Sequence, residues 1–107
     1  MSQNALFAQF EDLGDLVRFS SFSATPFIHH VEIGKKHIYF LQILGMGGRS
    51  MIYYVERDEE IKGKYIVFNR FTDETTFSNK FESGGQTVLI PILELKRTNV
   101  FSEYPPK

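Results

Sequence analysis

The amino-acid sequence predicts an α+β domain, an N-terminal helix packed on a strongly curved antiparallel meander of five or six strands that curls as far as a partly closed barrel. Three observations lead there. A helical period of apolar residues runs from Leu6 to Val17 and does not recur. After it come short apolar segments separated by turn residues, none with room for the dozen or more residues of a parallel crossover. The chain also holds eleven Phe and five Tyr, residues that suit a pleated, half-buried surface.

In NALFAQFEDLGDLVRF the apolar residues Leu6, Phe10, Leu13 and Val17 fall on one side and Gln9, Glu11, Asp12 and Asp15 opposite, which predicts a helix over residues 1–19. Ser2 is the candidate N-cap, and Gly14 weakens the interior and can end or bend the helix there. SSFSATP then breaks the pattern. FIHHVEI, HIYFLQIL, SMIYYVE, KYIVFNRF, TTFSNKF and TVLIPILELK read as strands, so the sheet spans residues 27–96. Their separators are Gly34-Lys35, the glycine loop Gly45 to Arg49, RDEEIKG, Thr72 to Glu74, and Ser83 to Gly85. Pro91 has no N–H to give a ladder, which predicts an edge strand or a bulge. The segment 98–107, with few apolar residues and two adjacent prolines, reads as a loosely held tail of what is otherwise one domain over 1–107.

A composition of 42% hydrophobic and 23% charged residues is that of a globular chain rather than a disordered or fibrous one. Twelve basic residues against thirteen acidic ones leave a formal charge of -1, so no general attraction to nucleic acid or anionic lipid is expected. The absence of Cys excludes disulfides and thiolate chemistry and suits a reducing compartment. MSQNALFAQFEDL lacks the basic and apolar regions of a signal peptide, and no apolar run approaches membrane-spanning length. A cytoplasmic protein without cofactor is the expectation.

Every histidine lies in IHHVEIGKKHIYF. A two-residue turn at Gly34-Lys35 sets Glu32 opposite His37 and His30 opposite Tyr39, with His30, Glu32, His37 and Tyr39 on one face and His29, Val31, Ile33, Ile38 and Phe40 on the other. His30, Glu32 and His37 have the composition of a two-His-one-carboxylate metal site and supply the alternative of a metal-dependent enzyme. An exposed cross-strand Glu32–His37 pair with His30 turned to solvent is the simpler reading, so neither metal nor catalysis is expected. GMGGR has neither the dinucleotide fingerprint nor a P-loop lysine, and Ser20, Ser21 and Ser23 have no neighbouring base.

The feature that bears on function is two-sided apolarity. HIYFLQIL is apolar on both faces, as are SMIYYVE and TVLIPILEL, and one helix can cover only part of one face. The second face then calls for barrel closure, a second copy of the chain, or another partner. The expected function is a non-catalytic protein-interaction or assembly module, most simply a homodimer, working through Tyr39, Leu41, Ile43, Tyr53 and Tyr54. A half-barrel holding a small apolar ligand is the other alternative. Tyr53 and Tyr54 alternate in facing and so make no common stacking platform. Binding to single-stranded oligonucleotides is therefore predicted to be no tighter than about 10 μM at physiological salt. Fluorescence anisotropy checks this: submicromolar, salt-sensitive affinity lost in Arg49→Ala or Tyr54→Ala is the opposite outcome.

Overall fold

The computed structural model of the chain describes residues 5–82 and 86–95. Within them the N-terminal segment divides at Glu11-Asp12 into a strand, β1 (Ala5–Gln9), and a helix, α1 (Leu13–Ser21). This corrects the helix expected over 1–19. The apolar residues of ALFAQ serve an alternating pattern as well as a helical one, and a sheet edge is there to receive them. The cap is Asp12, extended at φ -117° and ψ 127°, whose carboxylate accepts the Gly14 N–H at 2.9 Å. Gly14 therefore sits in the first turn and does not end the helix. Ser2 lies outside the described residues.

The other strands are β2 (Ile28–Ile33), β3 (Lys36–Leu44), β4 (Ser50–Arg57), β5 (Tyr65–Asn69), β6 (Glu74–Ser78) and β7 (Thr87–Glu94). They form one mixed sheet in the order β1-β4-β3-β2-β7-β5-β6. The expectation of an antiparallel meander fails at two places: β1 lies parallel to β4, and β2 lies parallel to β7. Short separators forbid parallel pairing only between consecutive strands, and both of these pairs join strands distant in the chain. The sheet is not closed, so the partly closed barrel is not formed.

Pro91 is a second correction, since β7 is an interior strand. Residues Thr87 to Pro91 pair with β5, and Ile92 to Glu94 pair with β2. The proline stands where the strand passes from one neighbour to the other, a position that tolerates a missing donor. The separator 83–85 and the tail 98–107 lie outside the described residues.

Two apolar clusters sit on opposite faces of the sheet. On the first, Leu13, Leu16 and Val17 of α1 meet Ile28, Tyr39, Leu41, Val55, Ile66, Phe68 and Ile90. A nine-residue helix is marginal alone, so this burial, worth about 1.5–3 kcal/mol for each Leu or Val, is what holds α1 in place. Ser20, fully buried among them, gives its hydroxyl proton to the Val17 carbonyl at 3.0 Å. The second cluster is Val31, Ile38, Phe40, Ile52 and Tyr54, flanked by Ala5, Phe7, Ile33 and Leu95.

The connection from β4 to β5 folds back over the helix-side face, placing Ile61 against the first cluster. It reaches β6 at Gly63, where φ is +112° and an added Cβ would stand 3.1 Å from the Ser78 nitrogen. Gly63→Ala is expected to cost about 1–3 kcal/mol for the strained backbone, with the contact adding to it. Gly34→Ala, at φ +65° with open space around it, serves as the comparison. Urea midpoints of the two proteins should rank Gly63→Ala as the less stable.

Candidate functional site

The hairpin takes the register that the Gly34-Lys35 turn dictates. His30 stands opposite Tyr39, Glu32 opposite His37 and Ile33 opposite Lys36. Gly34 adopts φ 65°, as a tight hairpin turn requires. Carrying the register through β4 and β1 divides the helix-side face into three zones. His30, Glu32, His37 and Arg57 lie at the turn end, Tyr39, Leu41 and Val55 under α1, and Ile43, Tyr53, Met51 and Leu6 beyond it.

The five residues expected to make an interaction face are divided among these places. Tyr39 and Leu41 are each 1% exposed beneath the helix, and Tyr54 is 4% exposed in the cluster on the opposite face. Ile43 and Tyr53 are half-buried in the outer apolar zone. There Phe19 of α1 lies 4.5 Å from the Tyr53 ring and 5.7 Å from Phe10. Leu6 is 48% and Phe19 37% exposed. Leu6, Phe19 and Met51 also belong to this zone: the sequence pattern assigns Leu6 to a helix, and Phe19 and Met51 join the zone through the packing of α1 on Tyr53 and the pairing of β1 with β4.

The second face is also covered within one chain. Val31, Ile38, Phe40, Ile52 and Tyr54 are 0–5% exposed, so their burial requires no second copy. His29 belongs to this face, as the hairpin register requires, and its ring stacks on Phe40 at 5.1 Å. Burial lowers its pKa, and its Nδ1 has no hydrogen-bond partner among the described residues. Beside it an open cleft of about 370 Å3 is lined by Thr25, Phe27, His29, Gln42, Leu44 and Ser50. The space between helix and sheet, where an apolar ligand was the alternative, is occupied by Tyr39, Leu41, Ile66 and Phe68.

At the turn end the structure departs from an exposed cross-strand pair. His30 is 7% exposed, not turned to solvent. Its ring stacks on Tyr39 at 4.7 Å, and its Nε2 lies 2.9 Å from His37 Nδ1. Its Nδ1 is 3.9 Å from a Glu60 oxygen, and His37 Nε2 is 3.9 Å from a Glu32 oxygen. A cleft of about 350 Å3 is lined by these four residues with Glu94 and Leu95. Glu94 arrives through the parallel pairing that sets it beside His30, and Glu60 through the folded-back connection. No period in the sequence signals either one.

Burial lowers the His30 pKa, with His37 acting the same way and Glu60, Glu94 and Glu32 opposing it. Burial likewise raises that of Tyr39, whose hydroxyl accepts the Ile61 N–H. The nitrogens of His30 and His37 that face each other are engaged in one hydrogen bond and do not converge on a third point. Among the described residues no group of three His, Asp or Glu side chains is arranged to hold a metal ion. None of the helices among them is long and apolar enough to cross a membrane.

Comparison with known proteins gives no relationship. No family model, curated protein or solved structure matches the chain.

The burial of Leu41 yields a prediction. A carboxylate placed there has neither water nor a cation to pair with, so Leu41→Glu should abolish cooperative unfolding. Leu6→Glu, at an exposed position, should still fold and unfold cooperatively. Thermal melts followed by circular dichroism separate the two.

Proposed function

We propose that the chain is a small non-catalytic protein-interaction module that self-associates through the apolar zone of Leu6, Ile43, Met51 and Tyr53, with Phe19 at its margin. The observation that carries this reading is the half-open strip itself. Leu6 and Phe19 keep 48% and 37% of their surface exposed beside the half-buried Ile43, Met51 and Tyr53, on a part of the helix-side face that α1 covers only with Phe19. The strip also ends at β1, an edge strand whose pairing among the described residues is with β4 alone. Such an edge offers N–H and C=O groups to another strand. A second copy joined along β1 satisfies those groups and covers Leu6 in one contact.

Catalysis forms no part of this reading. Nucleic acid and membrane are likewise left out. Self-association predicts a solution mass of about twice the chain's 12.4 kDa at micromolar concentration. Leu6→Glu and Ile43→Glu should both shift that mass toward the monomer without unfolding the chain. Sedimentation velocity with circular dichroism on the same samples is the test. A parent protein that remains monomeric removes the homodimer and leaves a different protein chain as the occupant of the strip.

A further inference from the structure

We infer that His30 and His37 act as a single proton-holding dyad, which carries one positive charge between Glu60 and Glu32 and latches the β4–β5 connection onto the sheet. The inference follows from counting hydrogens on four ring nitrogens. The contact of 2.9 Å between His30 Nε2 and His37 Nδ1 takes one N–H and one lone pair. Two neutral rings carry two N–H groups, so one remains for the two outer nitrogens. Each of those stands 3.9 Å from a carboxylate, of Glu60 at His30 and of Glu32 at His37. In the neutral pair one outer nitrogen must present its lone pair to a negative oxygen.

One added proton removes that conflict. All three contacts then consist of an N–H facing an acceptor. A second added proton would set two N–H groups head to head at 2.9 Å and break the central contact. The arrangement thus selects one charge for the pair, and the two rings titrate as a unit. The charge is shared over the two rings, with an N–H toward Glu60 at one end and an N–H toward Glu32 at the other.

The groups facing the dyad come from every element around it. Glu32 of β2, Glu60 of the β4–β5 connection and Glu94 of β7 favour the charge. Arg57 of β4, opposite His37 in the register, opposes it, and the Tyr39 hydroxyl is neutral and bound to the Ile61 N–H. Glu60 and Ile61 are adjacent in the connection, so the carboxylate that reads the dyad is next to the amide that docks the segment. When the pair loses its proton, three carboxylates surround an uncharged site and Glu60 loses its electrostatic hold. The connection is latched at lower pH and loosened as pH rises through the titration of the pair.

Nitrogen-15 shifts of the imidazole rings, followed across about pH 5 to 8 where histidines change charge, test the dyad. Hydrogen exchange of the Ile61 amide, corrected for its intrinsic pH dependence, tests the latch. One proton taken up by the two rings together is expected, with Ile61 protection falling about tenfold on its loss, the factor equivalent to one pKa unit of coupling. Glu60→Gln, at a largely exposed side chain, should fold normally and flatten that dependence. Two independent protonations, rings that stay neutral throughout, or Ile61 protection that does not change in the parent protein would each overturn the inference. A Glu60→Gln protein retaining the parent's pH dependence would do so as well.

Discussion

The constraint on which the rest of the structure depends is that β3 and β4 are apolar on both faces. Ile38, Tyr39, Phe40 and Leu41 are four consecutive residues with no more than 1% exposure, and Ile52, Tyr54 and Val55 repeat the pattern on the neighbouring strand. A strand of this kind cannot lie at the surface of a sheet layer, because leaving either side in water forfeits about 25 cal/mol for each Å2 of apolar area. The helix and the β4–β5 connection cover one side. The opposite side closes around Phe40 and Tyr54.

That central pair also explains where the apolar strip and the polar cleft lie. Both lie on the helix-side face, one at each end of the stretch that α1 covers. Beyond its far side lies the apolar strip at β1. At the turn end the hairpin's polar side chains are pressed under the folded-back connection, which is why His30 is buried although a hairpin end is ordinarily solvated. The same connection that covers Tyr39 carries Glu60 to the imidazole pair, so covering the core and building the polar cleft are one structural event.

Much of the hairpin was legible beforehand. Period-two alternation combined with a Gly-containing two-residue turn fixes every cross-strand partner from Ile33–Lys36 back to His30–Tyr39, and the structure has those partners. The N-terminal segment was not legible in the same way. Leu6, Phe10, Leu13 and Val17 fit a helical period, yet Ala5 to Gln9 are drawn into a strand by β4. The local signal for the true start of the helix was Asp12, a cap residue followed three positions later by Asp15. Of the residues expected to form an open apolar face, Ile43 and Tyr53 remain half-buried, while Tyr39 and Leu41 pass beneath α1 because its amphipathic face crosses that end of the strands.

By itself the sequence determined the α+β class, most strand positions, the hairpin register and the need for cover on both sides of the central strands. All of these follow from interactions between near neighbours or from the periodicity of one segment. Tertiary structure alone decided that β1 and β7 run parallel to distant strands, that Pro91 lies where one strand changes partners, and that Glu60 and Glu94 meet the histidines. Those pairings depend on which apolar faces fit together after the chain has closed loops of many residues. Strand pairing between remote segments leaves no period in the chain from which it can be read.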